Sequence, residues 1–143
     1  MKKILILALG ALAMISCAKQ PCDARHTCWA YDATIYELNT RQATPEGTFA
    51  AAEALLPELK ESGVDIIWIM PIQKIGVLER KGTLGSYYAI TDYCEFNPEF
   101  GTRADFEHFL AKAHELGMKV ILDWVANHTA PDSEWTKNEG WHY

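Results

Sequence analysis

Lys119-Val120-Ile121-Leu122-Asp123-Trp124-Val125-Ala126-Asn127-His128 is the stretch on which the fold turns. Its apolar opening suits a buried parallel strand, because a strand covered on both faces has no reason to alternate. Asp123, Asn127 and His128 follow at the C-terminal end of that run. In sheets and barrels of parallel strands ligands bind at this end, where the loops vary freely. A carboxylate, an amide and an imidazole gathered there read as a site rather than as packing.

Upstream, Thr102-Arg103-Ala104-Asp105 has the spacing of a capping box, with Asp in place of the usual Glu. Phe106, Phe109, Leu110, Ala113 and Leu116 then make one apolar stripe at helical spacing, and Gly117 ends it. Val64 to Met70 is an almost unbroken apolar run closed by Pro71, which predicts a second strand buried on both faces. Before it, Thr48 is an N-cap, and Ala52, Leu55, Leu56 and Leu59 keep helical spacing up to a stop at Gly63. Pro57 predicts a kink or a split in that helix. Ala33 to Leu38 reads as the first strand and Asn39 to Gly47 as a loop. The segment from Ile72 to Asn97, with its glycines, charges and tyrosines, is too long for a bare connector and is expected to carry a function. Trp68 and Trp124 are expected in the core. Pro131 to Tyr143 shows no period.

The order is strand, helix, strand, helix, strand. A helix in each connection is the βαβ arrangement and implies parallel strands. The fold class is therefore α/β. Three such strands leave open edges, so the chain reads as the front of something longer.

The chain has 143 residues and a formal charge of −6, which leaves no basic footprint for nucleic acid. An apolar fraction of 49% is enough for a real core. Lys2 and Lys3 precede an apolar run from Ile4 to Ile15 and then Ser16-Cys17, so residues 1–17 read as an export signal, too short for a membrane span. Small residues before a cysteine resemble a bacterial lipobox, in which Cys17 carries the lipid; an ordinary signal peptide is the alternative. Residues 18–28 read as a linker and residues 29–143 as the folded part. An exported chain permits a disulfide, Cys22–Cys28 being one pairing that leaves Cys94 free. No cysteine pair has zinc spacing.

At this point the sequence resembles glycoside hydrolase family 13, the alpha-amylase family, from about Tyr36 to Trp135. Asp123-Trp-Val-Ala-Asn127-His128 is similar to the family's first conserved region at the end of the third barrel strand. Gly63-Val-Asp-Ile-Ile-Trp68-Ile-Met-Pro71 is similar to its second strand. Gly85-Ser86-Tyr87-Tyr88, Asp92-Tyr93, Asn97-Pro98 and Phe100-Gly101-Thr102 match in the same order.

The resemblance implies a (β/α)8 TIM barrel of which this chain holds the first three parallel strands and two helices, truncated before closure. It also implies an inserted domain starting near Thr129. By the same resemblance His128 binds a sugar hydroxyl at the bond to be cut, Tyr88 is the aromatic platform under the ring, and Asp123 is the carboxylate that organises the site without being the nucleophile. Asn127 matches a calcium ligand, and an amide oxygen suits that hard cation; a loop-capping Asn is the competing reading. Asp92 matches a family position with a structural role, and Tyr87 reads as loop packing. The family cleaves α-glucosidic bonds with retention, using a carboxylate nucleophile and a carboxylic acid. In the family these lie on later strands, and Glu37, Asp65 and Glu95 do not match them.

The expectation is the N-terminal part of an exported, lipid-anchored hydrolase of α-1,4-glucans, inactive as this chain alone. The rivals are transglycosylation or isomerisation on the same scaffold, and a surface lipoprotein that binds glycans without cutting them.

Overall fold

The computed structural model describes residues 27–138. The proposed signal, Cys17 and most of the linker lie outside the described residues. The chain divides into two compact units, one ending at Asp32 and one starting at Ala33. Of the first, the described part is a single 3-10 turn, Cys28–Ala30, closed by Ala30 N donating to Thr27 O at 2.9 Å. Cys28 is disulfide-bonded and Cys94, in the second unit, is a free, exposed thiol.

The second unit is built on a parallel sheet. β1 (Ile35–Leu38) pairs with β2 (Ile66–Ile69), and β2 pairs with β5 (Lys119–Leu122), in the order β1-β2-β5. Asp123 N donates to Ile69 O at 2.9 Å, so the ladder runs on to the carboxylate itself. The β1-to-β2 connection holds α1 (Thr40–Ala43), α2 (Phe49–Glu53) and α3 (Leu56–Glu61). Thr48 caps α2 by accepting from Ala51 N, and the chain breaks at Ala54–Leu55 before Pro57 enters the first turn of α3. The predicted split is therefore present: the proline lacks an N–H and fits only a helix start. α1 falls where a loop was expected; its four residues are too few to show a period.

α4 (Arg103–Glu115) starts from the predicted capping box, with Asp105 N donating to Thr102 Oγ1 and Thr102 N donating to Asp105 Oδ2. Phe106, Phe109 and Ala113 are buried, and Gly117 follows at φ +73°. This helix and α2 cover one face of the sheet. Ile67 and Ile69 of β2, Leu38 of β1 and Phe49 of α2 meet Phe100, Phe106 and Phe109 in a continuous core.

The expectation of strands buried on both faces holds only in part. In β2 Ile66, Ile67 and Ile69 are buried, whereas Trp68 is 38% exposed. β5 is mostly exposed, with Val120 alone packed on the core. Successive side chains point to opposite faces, so Glu37, Trp68 and Ile121, which share one register row, lie opposite the helices. Trp124, also expected in the core, is 61% exposed and leans on Tyr93 with ring centroids 5.2 Å apart.

The segment from Ile72 to Asn97, to which the sequence assigned no element, is ordered. It holds a two-stranded antiparallel sheet, β3 (Gln73–Ile75) with β4 (Ile90–Phe96). Asn97 N donates to Ile72 O at 2.8 Å and closes its base. The register shifts on both sides of Lys74 explain why no alternation is visible in the sequence.

Candidate functional site

The site is assembled at the C-terminal end of the parallel strands from three sources: β5, the loop that follows it, and the hairpin. Asp123 continues the register of β5 and, two residues after Ile121, points to the face without helices. Tyr88 reaches it from the turn before β4, and its hydroxyl donates to Asp123 Oδ2 at 2.9 Å. These two predicted residues are brought together.

Burial pushes the Tyr88 hydroxyl up to about 12, helped by the hydrogen bond to Asp123 and by the negative charges of Asp123 and Glu37. Each effect disfavours a phenolate: low polarity penalises its charge, and nearby carboxylates repel it. Tyr88 is therefore a neutral donor throughout the ordinary pH range. Asp123, as its acceptor, has one oxygen already engaged.

The loop after β5 is fastened to the hairpin. The Tyr93 hydroxyl lies 2.7 Å from Val125 O and 2.8 Å from His128 O, its one proton shared between the two carbonyls. Thr129 Oγ1 and Ala130 N both donate to Ile90 O. Asp132 Oδ2 accepts from Val77 N at 2.8 Å and from Leu78 N at 3.1 Å, and these contacts hold its carboxyl below the usual range. The backbone that presents Asn127 and His128 is thus fixed at both ends.

Their side chains are not engaged. Asn127 and His128 are exposed and, among the described residues, make no side-chain hydrogen bond. The loop places both at the same end of the sheet as Tyr88, because Tyr93 holds the His128 carbonyl three residues after Val125 is anchored. Calcium is the cation expected at Asn127. It takes about six to eight oxygen ligands, and among the described residues no three carboxylate, imidazole or thiol groups gather as a metal site. Asn127 offers one amide oxygen, and no chemistry is derived from a metal here.

Residues that sequence reasoning left aside contribute more than expected. Tyr87 accepts from Asn39 Nδ2 at 2.8 Å and lies under the Arg41 guanidinium, 5.0 Å from Cζ to ring centre. Asp92 accepts from Cys94 N within β4, a structural contact. Tyr93 is the pin between hairpin and site loop; its place in a run of β-branched and aromatic residues, Ile90 to Phe96, was the available signal. An apolar groove of about 370 Å³ lies on the helix side of β5, between Tyr93, Phe96, Phe106, Leu122 and Trp124.

Parallel strands joined through helices, with an acid and a tyrosine meeting at the strands' C-terminal ends, define an α/β protein with its site where such sheets and barrels bind ligands. The comparisons give the family. The model of the alpha-amylase catalytic domain matches residues 32–141. The alpha-amylase MalA of Haloarcula japonica is 38% identical over 116 residues, covering 79% of this chain and 16% of that protein. An alpha-glucosidase of Apis mellifera is 30% identical over 140 residues, covering 94% of this chain and 23% of that protein. Among solved structures, an alpha-amylase of Lactobacillus plantarum superposes with a TM-score of 0.75 at 51% identity, covering 78% of this chain and 27% of that one. The chain belongs to the alpha-amylase family, glycoside hydrolase family 13. It spans about a fifth of the length of these curated relatives, and its three-stranded sheet is part of the family's barrel, without closure.

Proposed function

We propose that this chain is the N-terminal part of the barrel of an exported glycoside hydrolase acting on α-1,4-linked glucans with retention. The observation that carries the reading is the Tyr88–Asp123 hydrogen bond at the strand ends, beside the loop that bears His128. A tyrosine ring offers an apolar face to the C–H face of a pyranose. Held neutral, its hydroxyl keeps the proton that binds Asp123. That contact also fixes the direction of the ring. Asp123 spends one oxygen on this bond, which suits an organising carboxylate better than an attacking one. An exposed imidazole can both donate to and accept from a sugar hydroxyl.

In this reading the nucleophile and the acid come from later strands of the same barrel, so the 143-residue chain binds sugar without cutting it. Export rests on the basic and apolar start of the sequence, and lipid attachment on Cys17. Calcium is proposed only as a ligand that Asn127 shares with donors outside the described residues.

The test is titration of the chain with maltoheptaose, followed by NMR at Tyr88 and His128, together with an assay for reducing ends from soluble starch. Shifts at both residues without turnover are expected. Absence of shifts at millimolar sugar would refute the binding role. Clear turnover would refute the placement of the acids elsewhere.

A further inference from the structure

We propose that Arg41 is a positioning residue for the site: from α1 it clamps the turn Leu84–Tyr88 and so sets the Tyr88 hydroxyl on Asp123. No sequence pattern points to Arg41, which lies 47 positions before Tyr88. Its guanidinium nevertheless joins two separate parts of the chain to α1. Nη1 donates to Gly85 O at 3.0 Å, and Nη2 to Leu84 O at 3.3 Å and to Glu99 Oε2 at 3.0 Å. Its plane also lies against two rings, with Cζ 5.0 Å from Tyr87 and 6.0 Å from Phe100.

The turn needs such a clamp. Gly85 sits at φ +67°, and Leu84 is 56% exposed, so neither backbone preference nor burial fixes this stretch. Asn39, at the end of β1, adds a second hold through the Tyr87 hydroxyl. The Tyr87 ring in turn packs on the Tyr88 ring, centroids 5.6 Å apart. On the other side Ser86 Oγ accepts from Tyr88 N at 3.1 Å. Arg41 and Asn39 therefore transmit the position of β1 to a tyrosine that otherwise belongs to the hairpin.

Stability alone is a poor account of this arginine. Its side chain is 14% exposed, and Nε is buried with no hydrogen-bond partner among the described residues. An unmet buried donor is a cost. What the guanidinium supplies is a planar fork that reaches two adjacent carbonyls while stacking on a ring, which a lysine cannot do. Its consequence for sugar binding rests on the function proposed above; the placement of the hydroxyl does not.

The test reads that hydroxyl directly. The chain is labelled at tyrosine ¹³Cζ, the Tyr88 signal is assigned by its loss in Tyr88→Phe, and ionisation is measured at pH 10.5. The wild-type signal should be about 3% ionised. In Arg41→Gln, a drift of the hydroxyl off Asp123 toward the ordinary tyrosine value of about 10 should raise that fraction several-fold, to at most about three-quarters. Arg41→Lys, which keeps the charge but not the fork, should move the same way. Folding of each variant is checked by circular dichroism at the same pH. Wild-type ionisation in the folded variants overturns the proposal. So does loss of the fold in both variants, which would make Arg41 a folding residue only. If one variant folds, it decides by the same criterion. The readout is independent of glucan binding, so a chain that binds no sugar leaves this result standing.

Discussion

Phe49 joins the parts of the molecule that the site depends on, and its removal gives the most demanding test. It lies on α2, is 1% exposed, and makes edge contacts with three rings: Phe106 at 5.3 Å, Phe100 at 5.9 Å and Phe96 at 6.1 Å. Phe96 ends β4 of the hairpin and Phe106 lies in the first turn of α4, so one side chain ties hairpin, helix layer and sheet together. Phe49→Ala should cost about 3–5 kcal/mol, because it removes the buried ring and leaves a void that rigid neighbours cannot fill. Edge-to-face pairs add about 0.5–1.5 kcal/mol each beyond burial, which places the expected loss in the upper half of that range. A whole domain has about 5–15 kcal/mol to lose. The assay is urea unfolding followed by circular dichroism and tryptophan fluorescence. With a slope near 2 kcal/mol per M, the midpoint should fall by about 2 M. Phe49→Leu, which keeps most of the volume, should cost distinctly less. A loss under about 1 kcal/mol for Phe49→Ala would refute the view that this ring is the joint of the core.

The other expectations concern single contacts. Tyr88 has a folded value of about 12 against an ordinary 10.0, so its contribution is complete below pH 10 and is lost as the pH rises toward 12; thermal stability of Tyr88→Phe should fall less steeply over that window than that of the wild type. Asp132 is held below its ordinary 3.8, first by the Val77 N–H, so its contribution is present above that pH and lost as acid protonates it; Asp132→Ala should flatten the acid limb of a pH–melting curve. Thr102→Ala removes the side-chain half of the capping box on α4 and should cost about 1 kcal/mol in urea unfolding. Gly47→Ala places a Cβ 2.9 Å from Arg41 O at φ +65° and should cost more than about 1 kcal/mol, while also disturbing α1.

The strand–helix order, the capping box, the Pro57 break and the run ending at Asp123 were legible because each rests on local chemistry: spacing, a missing N–H, a cap. The hairpin was not. Its strands are joined across fourteen residues, and shifts around Lys74 destroy the alternation that would mark it. That one omission hid Tyr93's role and left Tyr87 as packing. Trp68 and Trp124 misled for a different reason. Both sit in apolar runs, yet an apolar run states only that a residue suits burial, and burial requires a neighbour on the correct face.

The sequence by itself determined the parallel βαβ order, the family and the identity of the residues at the strand's end, since period, caps and motif are written in adjacent positions. Only the tertiary structure decided that Tyr88 donates to Asp123 across 35 positions, that the hairpin fastens the His128 loop, and that Arg41 reaches the turn beneath them. Those are contacts between distant segments whose distances follow from packing, and no local pattern encodes them.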